Sequence, residues 1–142
     1  HVDYFLREMA KYFEVIIYTA SLSKYADPLM DQMDPQGYCT ARLFREHCAY
    51  VNGVFVKDMS ALGRDMKDTI LIDNSPTSYM LQPECGLPII SWYDDPNDTQ
   101  LQQYVPMLIE MSKINEIRDC IPKFVKNHNF DMNHCMNVLR NQ

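Results

Sequence analysis

Four polar side chains lie at the ends of two apolar runs or between them, and together they suit phosphate and metal chemistry. Thr19 follows the run FEVIIY, and Asp73 and Asn74 follow the run TILI. Lys57 lies between the two runs, in the segment VFVKD. A hydroxyl can donate to a phosphoryl oxygen, an ammonium offsets its charge, and carboxylate and amide oxygens bind Mg²⁺. The four residues therefore predict a phosphate and divalent-cation site.

Each of these residues also has an ordinary structural interpretation when it is considered alone. A threonine often ends a strand, a lysine protects a hairpin edge, and Asp and Asn stabilise turns. The functional interpretation rests on the combination, because each residue meets a different need of phosphoryl transfer. A receiver domain uses similar residue types, but its acidic residues come first. In this chain Thr19 comes first and the Asp73–Asn74 pair comes last.

The elements that must position these residues follow from the apolar pattern. Runs 13–19 and 69–73 are apolar, rich in β-branched residues and end in small polar residues, so they predict buried parallel strands. Ligands of open α/β sheets bind at the carboxyl ends of such strands. Residues 87–92 predict a third strand. Apolar residues at helical spacing predict three helices: 2–12, 22–33 with Ser21 as its N-cap, and 98–111 capped by Asp98. This alternation predicts an α/β domain with a parallel sheet.

Residues 38–57 have a different character. Residues 39–44 are a short strand candidate, and two further short apolar runs flank Asn52-Gly53, the strongest short signal for a β-hairpin. The segment therefore predicts a small antiparallel β insertion. Insertions of this kind often cover an active site and contact the substrate.

Length and composition limit the possible classes of protein. The chain has 142 residues, which suits one domain at 1–126, followed by a C-terminal tail or helix at 127–142. Its formal net charge of -6 argues against direct, nonspecific nucleic-acid binding. Five cysteines without a Cys-x-x-Cys pair favour a reducing, intracellular compartment over a disulfide framework or a zinc site. No apolar run reaches the roughly 18 residues of a membrane span.

Four segments resemble the small C-terminal-domain phosphatases of the haloacid dehalogenase superfamily: TASLSKYADP, ARLFREHC, VKDMSALGRD and ILIDNSPTSY. The segment SWYDDPNDTQL continues the resemblance, which covers about residues 2–111. It implies a haloacid-dehalogenase-like, Rossmann-like parallel sheet with the β insertion between motifs two and three. It also implies a Mg²⁺-dependent phosphoserine/phosphothreonine protein phosphatase. Its partner would be a phosphorylated protein or peptide, such as the RNA polymerase II C-terminal repeat, in the nucleus.

The resemblance also implies a role for individual residues. Thr19 matches the phosphate-binding hydroxyl of motif two, and Lys57 matches the lysine of motif three. Asn74 matches the Mg²⁺ ligand of motif four, and Asp73 matches the acidic residue beside it. The remaining matches are three substrate-binding positions: Leu22, Tyr25 and Arg45.

One part of the family pattern does not occur in these residues. Motif one, Asp-x-Asp-x-Thr, supplies the nucleophilic aspartate and the general acid/base, and no such segment is present. We expect it upstream of His1, together with a central strand. The 142 residues alone should then fold poorly and form no aspartyl-phosphate. The alternative is a non-catalytic interaction domain, like the mitochondrial import receptors that resemble this family, and the upstream sequence would separate the two.

Overall fold

A computed structural model describes residues 1–126, which form a mixed α/β structure. The predicted tail or helix at 127–142 lies outside the described residues. Four α-helices are present: α1 (Val2–Met9), α2 (Ser23–Met33), α3 (Gln100–Met111) and α4 (Ile121–Val125). Six strands accompany them: β1 (Val15–Tyr18), β2 (Cys39–Leu43), β3 (Ala49–Val51), β4 (Val54–Val56), β5 (Leu71–Asp73) and β6 (Gly86–Pro88).

Two parallel strand pairs confirm the predicted positions of the polar residues. β1 pairs with β2, with Tyr18 opposite Leu43, and β5 pairs with β6, with Asp73 opposite Pro88. Thr19 therefore follows the carboxyl end of one parallel strand, and Asp73 forms the carboxyl end of another. Parallel strands deliver side chains to ligands at these ends.

The predicted antiparallel insertion at 38–57 is only partly correct. Strand β2 belongs to a parallel pair with β1, and the antiparallel part is the hairpin of β3 and β4. β3 and β4 are antiparallel, with Ala49 opposite Val56. The turn residues Asn52 and Gly53 both have positive φ angles, +48° and +84°. This is the backbone that a two-residue turn of type I′ requires, and Asn-Gly adopts it at little cost. The hairpin leads directly into Lys57.

A groove of about 560 Å³ separates the two parallel pairs. β1 and β5 line it together with apolar side chains of α1 and α3, which include Leu6, Met9 and Leu108. Within residues 1–126, strand pairing joins β1 to β2 and β5 to β6, and none joins β1 to β5. The single parallel sheet expected from the sequence is thus present as two halves on either side of this groove.

The helices supply most of the buried core. Met9 of α1, Leu87 of β6, Met107 of α3 and Phe124 of α4 belong to one buried cluster. The Tyr104 hydroxyl of α3 donates to the carbonyl oxygen of Pro88, so α3 is fixed against β6. In the part of the chain that the structure describes, no helix is long and apolar enough to cross a membrane.

A smaller cluster holds the hairpin side of the structure, and it requires a glycine. Met59, Tyr79 and Cys85 are buried together. A Cβ atom on Gly86 would lie 2.2 Å from the Cδ2 atom of the Tyr79 ring. Because so short a contact cannot be accommodated, glycine at this position allows β6 to approach Tyr79 closely.

Several predicted boundaries differ from the structure at the ends of elements. α1 ends at Met9 and not at residue 12, because the N–H groups of Lys11 and Tyr12 bond to carbonyls three residues back, of Glu8 and Met9, at 3.2 and 3.0 Å. The last turn is therefore tighter than an α-helix. Strand β6 ends at Pro88 and not at residue 92, because its partner β5 ends at Asp73.

The predicted helix caps also need correction. The cap residue of α2 is Leu22 and not Ser21, and its side chain makes no capping hydrogen bond. The Ser21 N–H instead donates to the Thr19 hydroxyl oxygen, at 3.1 Å, so Ser21 belongs to the loop after β1. The cap residue of α3 is Thr99, although the Asp98 carboxylate still accepts the Gln100 N–H at 3.0 Å.

Candidate active site

An ion pair joins the end of the hairpin to the end of β5. The Lys57 ammonium donates a hydrogen bond to Oδ2 of Asp73, and the two side chains are only 12% and 6% exposed. The second carboxylate oxygen of Asp73 accepts the Ser75 N–H at 2.8 Å. The Lys57 backbone N–H donates to the Ser78 carbonyl at 2.8 Å. Both partners are therefore held in place, and the ammonium lies at the carboxyl edge of β5.

Thr19 is held at the corresponding edge of β1. Its backbone N–H donates to the Leu43 carbonyl at 2.9 Å, which extends the pairing of β1 with β2 by one residue. Its hydroxyl oxygen accepts the Ser21 N–H at 3.1 Å. This contact fixes the oxygen, and the hydroxyl proton can still be donated to an anion.

Cys48, just before β3, lies against the end of β1. Its sulfur is 3.9 Å from the Thr19 carbonyl oxygen. Burial raises the pKa of the Cys48 thiol, and the positive charges of Lys57 and Arg45 act in the opposite direction. Cys48 gave no sequence signal as a site residue, because its importance depends on what surrounds it.

Arg45 reaches the loop after β1 from the short turn between β2 and β3. Its Nε donates to the Ala20 carbonyl at 2.7 Å, and its backbone N–H donates to the Ser21 carbonyl at 3.1 Å. Its guanidinium carbon lies 5.1 Å from the centroid of the Phe55 ring, within the range of a cation–π contact. Arg45 therefore contacts Ala20, the residue after Thr19. Its guanidinium is oriented by the Ala20 carbonyl and the Phe55 ring.

Two hairpin aromatics were not identified as site residues from the sequence. Tyr50 and Phe55 are directly opposite each other across β3 and β4, and their ring centroids are 5.1 Å apart. The Phe55 ring also makes the cation–π contact with the Arg45 guanidinium. The contact between Tyr50 and Phe55 could have been predicted from the hairpin register, because the Asn52-Gly53 turn fixes which residues face each other.

Tyr18 anchors the short 3₁₀ turn that carries Arg45. The Tyr18 hydroxyl, at the end of β1, donates to the His47 carbonyl at 2.6 Å. Burial raises the pKa of Tyr18 to about 12. The hydroxyl therefore keeps its proton at neutral pH and can donate this hydrogen bond.

Leu22 and Tyr25, the two other predicted substrate residues, lie at the start of α2. They are 36% and 67% exposed. The Tyr25 ring lies 4.9 Å from the Lys24 ammonium. Leu22 directly follows Ser21, whose carbonyl oxygen accepts the Arg45 backbone N–H. Tyr25 lies one helical turn further along.

Asn74 is exposed, directly after the buried Asp73. Its amide nitrogen, Nδ2, donates to the Ser91 hydroxyl oxygen at 2.7 Å. Within residues 1–126 no group of three or more His, Cys, Asp or Glu side chains could hold a metal ion. The Asn74 amide oxygen suits Mg²⁺ as one ligand, since Mg²⁺ takes few protein ligands and keeps several waters. The described residues thus fit part of a Mg²⁺ shell.

Comparison with known proteins identifies the family of the chain. Residues 1–118 match the family of NLI interacting factor-like phosphatases, and the chain belongs to this family. Membership of this family implies a haloacid-dehalogenase-like fold.

The curated relatives carry phosphatase names. The chain is 48% identical over 117 residues to the mouse "Carboxy-terminal domain RNA polymerase II polypeptide A small phosphatase 2", and this covers 82% of the chain and 43% of that protein. It is 49% identical over 117 residues to a Dictyostelium discoideum "Probable C-terminal domain small phosphatase", with 82% and 38% covered. It is 42% identical over 135 residues to the Caenorhabditis elegans "CTD small phosphatase-like protein 1", with 95% and 28% covered. The chain thus spans less than half the length of these relatives.

Proposed function

We propose that the full-length protein is a Mg²⁺-dependent phosphatase that removes phosphate from serine and threonine in proteins. The observation that carries this proposal is the Lys57 ammonium, held by the buried carboxylate of Asp73. Burial raises the pKa of the Cys48 thiol and the Lys57 charge lowers it, and the Cys48 sulfur lies 3.9 Å from the Thr19 carbonyl oxygen. A cation and a hydroxyl fixed at neighbouring strand ends suit a phosphoryl group, whose charge is spread over several oxygens.

The described residues bind and orient the phosphoryl group in this proposal. The Thr19 hydroxyl donates to one phosphoryl oxygen, and the Lys57 ammonium offsets the negative charge that develops during transfer. Asp73 keeps the Lys57 side chain in one orientation, so the charge does not need to be reorganised during the reaction. Lys57 and Ser75 both donate to the Asp73 carboxylate, so in this proposal Asp73 positions Lys57 and does not attack phosphorus.

The nucleophile in this proposal is an aspartate on a segment that precedes His1. The groove between β1 and β5 supports this assignment, because it is lined by one strand from each parallel pair and by apolar side chains. In this proposal an extended segment enters the groove and completes the sheet. Its carboxyl end would lie between Thr19 and Lys57, where an aspartate could attack phosphorus. The bond from phosphorus to the serine or threonine oxygen breaks, and the general-acid aspartate expected on the same upstream segment protonates that oxygen. Water then hydrolyses the aspartyl-phosphate, which releases inorganic phosphate and regenerates the aspartate.

Asn74 is the residue of this chain that would hold Mg²⁺. When bound, Mg²⁺ supplies positive charge beside the phosphate and the carboxylates. Asn74 brings an oxygen but no charge, so it needs charged ligands from the same upstream segment. The proposal therefore makes metal affinity depend on residues before His1 as well as on Asn74.

The substrate in this proposal is a phosphorylated peptide segment such as the RNA polymerase II C-terminal repeat. The mouse relative is named for that polypeptide. In this chain Arg45, Leu22 and Tyr25 border the site with a cation, an aliphatic group and an aromatic group. These groups suit an extended, proline-containing peptide. A nuclear location follows if the polymerase repeat is the substrate.

Comparing the 142 residues with the full-length protein tests the proposal. Both are assayed with Mg²⁺ and a phosphoserine peptide, and acid-quenched samples are examined for a hydroxylamine-sensitive aspartyl-phosphate. We expect turnover and the covalent intermediate only in the full-length protein. Robust turnover by the 142 residues would contradict an upstream nucleophile. A full-length protein that binds the peptide without hydrolysing it would instead support an interaction domain.

A further inference from the structure

The loops after β5 and β6 leave the structure side by side. Asp73 is opposite Pro88 in the parallel pair, and the Ile89 N–H donates to the Asp73 carbonyl at 3.2 Å. This bond extends the pairing by one residue beyond β6. Asn74 and Ser91 then face each other across the two loops, 17 residues apart in sequence, and are joined by the 2.7 Å bond from Nδ2 to the Ser91 hydroxyl oxygen.

This bond restricts the orientation of the Asn74 side chain. The last torsion of an asparagine side chain is broad, so an exposed carboxamide without a partner samples many orientations. A carboxamide nitrogen can only donate, and its oxygen can accept a hydrogen bond or bind a cation. With Nδ2 bonded to Ser91, the oxygen lies on the opposite side of the planar group. Ser91 thus turns the oxygen of Asn74 away from the β6 loop.

We propose that Ser91 is a positioning residue that orients the Asn74 amide oxygen for Mg²⁺. This inference rests on the proposed function, in which Asn74 is the ligand that this chain supplies. Groups that orient a metal ligand commonly affect affinity as strongly as some ligands do, and their loss weakens binding roughly 10- to 100-fold. The hydroxyl acts only through Asn74, so its effect disappears when Asn74 is replaced.

The test measures metal binding directly in the full-length protein. Mn²⁺ binding is followed through the electron paramagnetic resonance signal of the free ion, and Mg²⁺ affinity is obtained by competition. We expect Ser91→Ala to weaken Mg²⁺ affinity about 10-fold. Ser91→Thr, which keeps the hydroxyl, should bind as the wild type does. The half-saturating Mg²⁺ concentration for activity should rise in Ser91→Ala, while kcat at saturating Mg²⁺ changes little.

Matched controls separate metal positioning from a general effect on the loops. Thr77 is exposed, lies three residues after Asn74, and makes no side-chain hydrogen bond within residues 1–126, so Thr77→Ala should leave Mg²⁺ affinity unchanged. Ser91→Cys provides a second variant of similar size with a poor hydrogen-bond acceptor, in case Ser91→Ala folds badly. Thermal melting confirms that the compared variants are folded.

The double variant decides between the outcomes. If Ser91→Ala adds no further loss in an Asn74→Ala background, the two residues act as one unit, as the inference requires. If Asn74→Ala weakens Mg²⁺ binding and Ser91→Ala and Ser91→Cys do not, the inference is wrong and the proposed function stands. If Asn74→Ala itself leaves Mg²⁺ affinity unchanged, Asn74 is not a ligand and that part of the proposed function fails.

Discussion

Lys57 and Asp73 form an ion pair that is almost fully shielded from water, although 16 residues separate them in sequence. The pair fastens the end of the hairpin to the end of β5. Removing one partner of a buried ion pair leaves an uncompensated charge in a poorly solvated place, which costs about 3–5 kcal/mol. Lys57 is therefore both a candidate catalytic residue and a structural one, and its variants must be compared with variants of Asp73.

We expect Lys57→Met to reduce both activity and stability of the full-length protein. Turnover should fall roughly 10²- to 10³-fold, because one fixed positive charge is lost from the site. The free energy of unfolding should fall by about 3 kcal/mol, because Asp73 is left buried without its partner. The double variant Lys57→Met/Asp73→Asn should be more stable than Lys57→Met and equally slow. Urea denaturation and phosphopeptide assays measure the two effects, and equal stabilities of the single and double variants would contradict the pairing.

Thr19→Val should affect activity more than stability. Valine has nearly the shape of threonine but no hydroxyl, so the variant loses one donor to the phosphoryl group and one acceptor of the Ser21 N–H. We expect kcat to fall roughly 10²-fold and stability to fall by about 1 kcal/mol. Thr19→Ser, which keeps the hydroxyl, should retain most of the activity. If Thr19→Val and the wild type turn over a phosphopeptide equally fast, Thr19 only shapes the loop.

Arg45 and Phe55 should affect peptide substrates more than small phosphate esters. Arg45→Ala should lower kcat/KM for a phosphoserine-proline peptide about 10-fold, the effect of one charge-assisted hydrogen bond. Phe55→Leu should lower it about 3-fold, because the guanidinium loses its aromatic support. Activity on para-nitrophenyl phosphate should change little in either variant.

The matched control for Arg45 is an arginine that serves a different surface. Arg42 lies in β2 and pairs with Asp27 and Asp31 of α2, at 2.9 and 2.8 Å. Arg42→Ala should leave the ratio of peptide to ester activity unchanged. If Arg45→Ala lowers both activities equally, Arg45 does not recognise the peptide.

Asp34 should make folding stability sensitive to acid. Burial alone would raise the pKa of its carboxyl group, but N–H donors from Cys39 and Tyr38, at 2.8 and 2.9 Å, lower it below the usual 3.8. Because the pKa is lower in the folded state, the stabilisation is complete above the unfolded-state value, near pH 4. It is lost as the pH falls through the folded-state value.

The comparison of Asp34→Asn with wild type measures this effect. At pH 7 the variant should be less stable by about 2 kcal/mol, because a charged acceptor is replaced by a neutral one. The difference should shrink as the pH is lowered below about 4. Urea denaturation of the full-length protein between pH 3 and pH 7 provides the data. A difference that stays constant over this range would show that the ionised carboxylate is not the stabilising group.

Local chemistry in the sequence was sufficient for several parts of the fold. The runs before Thr19 and Asp73 are strands because β-branched apolar residues suit a pleated, buried backbone. The Asn52-Gly53 turn was predictable because few residue pairs accept positive φ at both positions. The residue types at the two strand ends already indicated phosphate and cation chemistry. These features depend on residues that are neighbours in sequence, so they can be recognised from one amino-acid sequence.

Only the tertiary structure decided which side chains meet. The Lys57–Asp73 pair and the Arg45–Phe55 and Asn74–Ser91 contacts join residues that are 10 to 17 positions apart. No local preference specifies such contacts, because they depend on how the hairpin and the two parallel pairs pack. The same is true of Ser21, which a helix-capping rule assigned to α2 and which the loop after β1 holds instead. Sequence thus determined the strand ends that carry the candidate site, and long-range packing determined which residues orient its charged and polar groups.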